Sequence, residues 1–276
     1  IRLGGTTPAF RSVFGTNVGI GSQGIVMDGT DAQKEHYLPK LATGEMIASF
    51  ALNEPEAESD AGSLKTSAKK DGDHYVLNGT KRFIPNAPSA DIFTLMARTD
   101  PDTPGAKGIS AFIVERKSDG LTIGTPDKKM GQQGAKTADV IMEDVRVPAE
   151  NIIGGVAGVG FKTAMKVLDR GRLHISGVSV GIAERLFREC VTYAAERKQF
   201  GKAIADFQLI QAMLADSKAE SYAARCMVVD AAKKKDAGEN VTLEAACANM
   251  FATEMVGRVA DRAVQIVGGA GYISEY

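Results

Sequence analysis

The chain has 276 residues, 44% of them hydrophobic and 24% charged, and its 33 Lys and Arg against 34 Asp and Glu leave a net charge of -1. That is the balance of a globular protein with core enough for one large domain or two ordinary ones. The even charge leaves no basic excess to attract nucleic acid or an anionic membrane, and no apolar run approaches the ~18 residues of a membrane span.

Residues 7–44 read as helix, Gly-rich loop, helix. Asp31 is placed to cap the second helix, which turns Tyr37, Leu38 and Leu41 inward and ends at Gly44. From Met46 to Val147 the helical period gives way to short alternating runs. Asp71-Gly72 separates 66–70 from 74–77, and Asn78-Gly79 separates that run from 80–84, two turn dipeptides that predict an antiparallel meander. Further strands are expected at 92–98, 109–115, 121–123 and 138–147. With no crossover helices between them, the sheet should be antiparallel and closed or folded over.

Beyond Gly158 the chain is helical: one long helix from Phe161 to about 196–198, one over 206–235 and one over 242–267. The second carries Phe207, Ile210, Leu214, Ser217, Ser221, Ala224, Val228 and Ala231 in one stripe. Asn240 or Thr242 should cap the third and Gly268-Gly269 should end it. Such lengths with short connections belong in an antiparallel bundle. Three regions follow: 1–45 helical, 46–152 a β domain and 153–276 a helical bundle, an α+β protein.

Cys190, Cys226 and Cys247 stand far apart with no C-x-x-C pair and no Cys/His cluster, so no metal site and no disulfide framework is expected. They read as reduced core thiols, pointing to a reducing compartment, the cytoplasm or the mitochondrial matrix.

The stretch Phe50-Ala-Leu-Asn-Glu-Pro-Glu-Ala-Glu-Ser-Asp60 follows a strand and is rich in small and turn residues. Its backbone N–H groups and Ser59 can cradle a phosphate or the polar edge of a ring, though the same composition also makes a plain turn. Arg197 and Lys198 read equally as solvated charges, Gly268-Gly269-Ala-Gly271 as a helix stop, and Arg172 as a partner of Asp169 or Glu184.

The first of these segments resembles a signature of the FAD-dependent acyl-CoA dehydrogenase family, A-[LM]-T-E-P-x-A-G-S-D. Asn78-Gly-Thr-Lys-Arg-Phe-Ile-Pro-Asn86 resembles that family's N-G-x-K-x-[WF]-I-T-N. Further matching blocks run through Lys107–Glu115, Glu143–Pro148, Gly160-Phe161, Glu196–Gly201 and Gln265–Gly271, in family order along essentially the whole chain. The resemblance implies FAD as cofactor, an acyl-CoA thioester as substrate, an electron-transfer flavoprotein as acceptor and a homotetramer built as a dimer of dimers. Phe50, Leu52, Asn53 and Ser59 would line the isoalloxazine and pyrophosphate, with Phe83, Ile84 and Pro85 against the ring. Arg197 would meet the pyrophosphate of a neighbouring subunit's FAD, Phe200 and Gln208 its adenosine, and Gln265, Gly268 and Gly269 would complete that site. Ser59, Asp169 and Arg172 would lie near the thioester.

Three positions depart from the pattern: Asn53 replaces a Thr, Glu58 a Gly, and Pro85 a Thr or Ser, removing a hydroxyl and an N–H. No catalytic residue is assigned within the chain. The family's base is a Glu in a segment expected beyond Tyr276, and the alternative position, directly before Arg172, holds Gly171. His36, His74 and His174 match no family role and read as surface or packing residues. Two other readings stand beside this one: an oxygen-using oxidase or flavin monooxygenase on the same scaffold, and a non-catalytic flavoprotein or assembly module.

Overall fold

A computed structural model describes residues 1–274. It forms two compact units, Ser12–Arg170 and Ile1–Arg11 with the chain from Gly171 onward. The class is α+β, as the sequence indicates.

Helix α1 (Pro8–Thr16), which enters the first unit at Ser12, runs through a π-helical stretch, Asn17–Gly21, into α2 (Gln23–Asp28), and α3 (Asp31–Thr43) follows. The expected Gly-rich loop is therefore helical. Asn17 explains why: its amide donates to the Leu41 carbonyl (3.2 Å) and accepts from the Ala48 N–H (2.8 Å), so tertiary bonds hold a stretch of poor intrinsic propensity. Helix α3 is capped by Thr30, one residue before the expected Asp31. The Thr30 hydroxyl accepts from the Gln33 N–H and the Gln33 side chain accepts from the Thr30 N–H, a reciprocal capping box. Gly44 ends the helix at φ 80°, as expected.

The strands are β1 (Ala48–Ala51), β2 (Ser67–Asp71), β3 (His74–Pro85), β4 (Ile92–Arg98), β5 (Ile109–Glu115), β6 (Leu121–Ile123) and β7 (Thr137–Pro148). They join in the order β1-β4-β2-β3-β7-β6, with β5 on the other edge of β4. Most pairs are antiparallel, but β1 runs parallel to β4 and β2 meets β4 in parallel at Ser67 and Arg98. The all-antiparallel expectation fails at these two places because the return from β1 to β4 is made by the β2–β3 hairpin in place of a helix. Asp71-Gly72 does form a tight turn, with Asp71 opposite His74. Asn78-Gly79 does not; β3 runs straight through it with a bulge between Leu77 and Gly79. Gly79 sits at φ 147°, where a Cβ would come within 2.6 Å of the Thr66 hydroxyl, so the glycine serves close strand approach and not chain reversal.

Leu77, Phe93, Leu95, Phe112, Val114, Val140 and Met142, drawn from β3, β4, β5 and β7, meet in one cluster. The sheet thus curls around its own interior. The opposite faces of β1, β4 and β5 pack through Phe50, Ile92, Met96 and Ile113 on Ile25, Tyr37, Leu41, Ala164 and Val167 of the helices, which is why β4 and β5 are buried on both sides. The last two of those residues come from the first turns of α4 (Gly160–Glu196). That helix starts flush on β5, since a Cβ on Gly160 would lie 2.1 Å from the Ala111 nitrogen.

The second unit holds the rest of α4, the short hairpin β8 (Lys198–Gln199) and β9 (Lys202–Ala203), then α5 (Gln208–Asp236) and α6 (Thr242–Val267). Helices α5 and α6 are antiparallel, as the pairs Glu220–Arg258, Glu220–Arg262 and Lys234–Glu244 fix, and Glu184–Arg225 joins α4 to α5. The buried stripe of α5 is Ser217, Ser221, Ala224, Val228 and Ala231, as read from the sequence. The cap position of α6 is Val241, between the two expected residues, and it makes no side-chain cap bond; the Asn240 side chain instead accepts from the Thr242 N–H at 3.1 Å, and Gly268 ends α6. Cys190 is buried, but Cys226 and Cys247 are exposed, contrary to the expectation of three core thiols; both fall off the apolar stripe of their helices. No helix among the described residues is long and apolar enough to cross a membrane, and no described group of His, Cys, Asp and Glu could hold a metal ion.

Candidate functional site

In the β unit, the segments Phe50–Asn53 and Phe83–Pro85 come together although residues 54–82 lie between them. The Arg82 N–H donates to the Asn53 carbonyl at 2.9 Å, and the Ser49 hydroxyl donates to the Pro85 carbonyl. Behind them lies an ion pair that no motif reading assigned. Lys81 is fully buried and its ammonium reaches Glu54 Oε1 (2.7 Å) and the Leu52 carbonyl (3.1 Å). Glu54 also accepts from the backbone N–H groups of Lys65 (2.6 Å) and Thr66 (3.0 Å). Burial pushes the Lys81 ammonium down to about 8 against the pull of Glu54. Burial works the other way on Glu54, yet Lys81 and the amide donors hold its carboxyl below the usual carboxylate range. The 2.7 Å contact and the two amide donors on the carboxylate suit an ammonium–carboxylate pair.

The turn beyond is closed by mutual Glu54 and Ala57 backbone bonds (2.9 and 3.3 Å), leaving Glu58 and Ser59 exposed. Phe83 is half-exposed at φ 57°, a left-handed value uncommon for a bulky residue. The Arg82 guanidinium lies 4.9 Å from its ring centre and pairs with Asp139 at 3.2 Å. Ile84 is buried and Pro85 half-buried beside it.

In the helical unit an open groove of about 1150 Å³ is lined by Arg197, Phe200, Gln208, Gln265, Gly268 and Gly269 among others. These are the six residues that the resemblance assigns to the adenosine and pyrophosphate of a neighbouring subunit's FAD. The hairpin β8–β9 turns through Phe200 and Gly201, at φ 53° and 78°, a pair of left-handed residues that matches a type I′ turn. Phe200 is thereby held 92% exposed with Phe207 edge-on at 6.0 Å. A Cβ on Gly268 or Gly269 would meet nothing within 4 Å, so the backbone there is open to a ligand. Exposed Arg197 supplies a cation and the glutamines supply amides. This donor set fits the anionic and adenosine parts of a dinucleotide.

Asp169 and Arg172 are half-buried on α4. Of the partners weighed for Arg172, Glu184 is engaged by Arg225 at 2.8 Å. His36 stacks edge-on against Tyr37 (4.6 Å) and His74 pairs with Asp73, in keeping with packing and surface roles.

Sequence profiles of the acyl-CoA dehydrogenase N-terminal, middle and C-terminal domains match residues 2–45, 49–145 and 158–276. The chain belongs to the acyl-CoA dehydrogenase family. It is 48% identical over 252 residues to the caffeyl-CoA reductase-Etf complex subunit CarC of Acetobacterium woodii, covering 91% of this chain and 66% of that one. It is 45% identical over 252 residues, with the same coverage, to a 3-(aryl)acrylate reductase of Clostridium sporogenes. Butyryl-CoA dehydrogenase from Megasphaera elsdenii superposes with a TM-score of 0.96 at 41% identity, over 99% of this chain and 71% of that one. The chain thus spans just under two thirds of the length of the first two relatives.

The buried Lys81–Glu54 pair is what sequence reasoning missed. Even spacing from Tyr75 and Leu77 does put Lys81 on the inward face of β3, but nothing in the spacing joins it to Glu54, 27 residues earlier.

Proposed function

We propose that this protein oxidises or reduces the α,β bond of an acyl-CoA thioester with FAD as its resident cofactor. The observation that carries the proposal is the joining of Phe50–Asn53 to Phe83–Pro85 through the Arg82 N–H and the Ser49 hydroxyl. It makes one rigid wall from the two segments that, in the family pattern, line the flavin ring. Phe50, Leu52, Asn53 and Ser59 are the residues we assign to the isoalloxazine and pyrophosphate, with Phe83, Ile84 and Pro85 against the ring. Arg197, Phe200, Gln208, Gln265, Gly268 and Gly269 would hold the adenosine and pyrophosphate of a cofactor seated in a neighbouring subunit, within a homotetramer.

When bound, FAD supplies the acceptor or donor of a hydride. The chain's own task is to seat the thioester, polarise its carbonyl and keep water out, which lowers the cost of charge at the α carbon. Ser59, Asp169 and Arg172 are the residues we place near the thioester. Glu54 is not a base for the α proton, because Lys81 and two backbone amides already hold it. Position 171 carries glycine and adds no carboxylate to that turn of α4.

The direction of reaction has two readings. Dehydrogenation with transfer to an electron-transfer flavoprotein follows the family pattern. Reduction of an α,β-unsaturated, aryl-substituted substrate is favoured by likeness to two proteins named as reductases, one of them a subunit of an Etf complex. Anaerobic mixing with saturated and unsaturated acyl-CoA, with electron-transfer flavoprotein or air as the alternative redox partner, separates these from an oxidase. Release of FMN, or of no flavin, on denaturation would refute the cofactor assignment.

A further inference from the structure

Lys81 does more than balance a charge. It is fully buried, and its ammonium bonds both Glu54 and the carbonyl of Leu52. The peptide from Leu52 to Asn53 is trans, so its N–H, carried by Asn53, points away from the carbonyl that Lys81 holds. The next carbonyl, on Asn53, is fixed by the Arg82 N–H at 2.9 Å. Two successive residues of β3 thus set the rotation of two successive peptides. Glu54, itself bonded to the Lys65 and Thr66 amides, keeps the ammonium in place.

We propose that Lys81 is a positioning residue that aims the Asn53 backbone N–H at the polar edge of the bound flavin, through its hold on the Leu52 carbonyl. This rests on the cofactor reading above. It makes Lys81 and Glu54 unequal: loss of Glu54 removes charge balance but leaves the Leu52 bond, whereas loss of Lys81 frees the peptide.

The test compares Lys81→Met, Lys81→Gln and Glu54→Gln with the native protein by FAD titration of the apoprotein, by the absorption spectrum of the bound flavin and by thermal midpoint. Lys81→Met should weaken FAD binding roughly three- to tenfold, the worth of one hydrogen bond, and shift the flavin bands. Glu54→Gln should lower the thermal midpoint while leaving FAD affinity within about twofold and the bands in place, the Leu52 bond being kept. Lys81→Gln, whose amide is one bond shorter than the ammonium arm that reaches Leu52 at 3.1 Å, should also lose that bond and weaken FAD binding to a similar extent; it serves if Lys81→Met does not fold. Native-like affinity and spectrum in Lys81→Met, or in Lys81→Gln where that is the variant that folds, overturn the proposal. So does a Glu54→Gln protein whose flavin bands move as far as those of the Lys81 variant. A native protein that takes up no FAD instead refutes the cofactor reading.

Discussion

Replacing Lys81 by Met should destabilise the β unit by about 3 kcal/mol. The side chain is 0% exposed and that of Glu54 5%, so the change strands a carboxylate away from water, an event that typically costs ~3–5 kcal/mol. Glu54 keeps its bonds from the Lys65 and Thr66 amides, which places the loss at the low end of that range. Glu54→Gln keeps an amide oxygen that can accept from Lys81 but removes the opposite charge from a fully buried ammonium, so its loss should be of similar size. In the double variant no charge is stranded, and its loss should fall short of the sum of the singles by ~1–3 kcal/mol, the usual range for groups in one network. Urea unfolding at pH 7, followed by circular dichroism, gives all four stabilities. A Lys81→Met loss below 1 kcal/mol, or additive singles, would show that the pair is not the buried, mutually dependent contact described here.

Glu54 also sets an acid limit. Its folded carboxyl titrates below its ordinary value of 4.5, so its stabilisation is complete above about pH 4.5 and is lost as pH falls through the folded pKa. Stability measured from pH 6 to pH 3 should decline, and less steeply in Glu54→Gln; parallel curves would contradict this. Gly79→Ala puts a methyl 2.6 Å from the Thr66 hydroxyl and 2.9 Å from its Cα and should cost about 2–3 kcal/mol, read from a shift in urea midpoint. Arg197→Ala should weaken FAD retention by about 1.5–3 kcal/mol, the worth of a bond to a charged group, with little change in urea midpoint because the side chain is exposed. Equilibrium dialysis against FAD decides it.

Long elements with a steady period were legible in the sequence. The three long helices were placed to within about two residues, and β4, β5 and β6 at their observed bounds, because each has an uninterrupted pattern ended by Gly, Pro or a charged loop. The errors fall where one residue type serves two geometries. Asn78-Gly79 is a hairpin signal that here makes a bulge, because Thr66 of the neighbouring chain segment crowds it. Asp31 and Thr30 are both good caps, and Gln33 three residues on decided for Thr30. Parallel pairing of β1 with β4 is set by where the β2–β3 hairpin packs, which periodicity does not record. Of the candidate site, Arg197, Phe200, Gln208, Gln265, Gly268 and Gly269 do line one groove. The buried Lys81–Glu54 contact was illegible because it joins a strand to a loop 27 residues earlier.

The central claim is that the wall formed by Phe50–Asn53 and Phe83–Pro85 seats a flavin that exchanges hydride with an acyl-CoA. Its most direct test is anaerobic titration of the purified protein with acyl-CoA and enoyl-CoA esters while the flavin absorption band is followed. Stoichiometric bleaching of oxidised protein by a saturated acyl-CoA, or recolouring of the reduced protein by an unsaturated one, is the predicted result. A protein without a flavin band, or one whose band no such ester changes, would contradict the account.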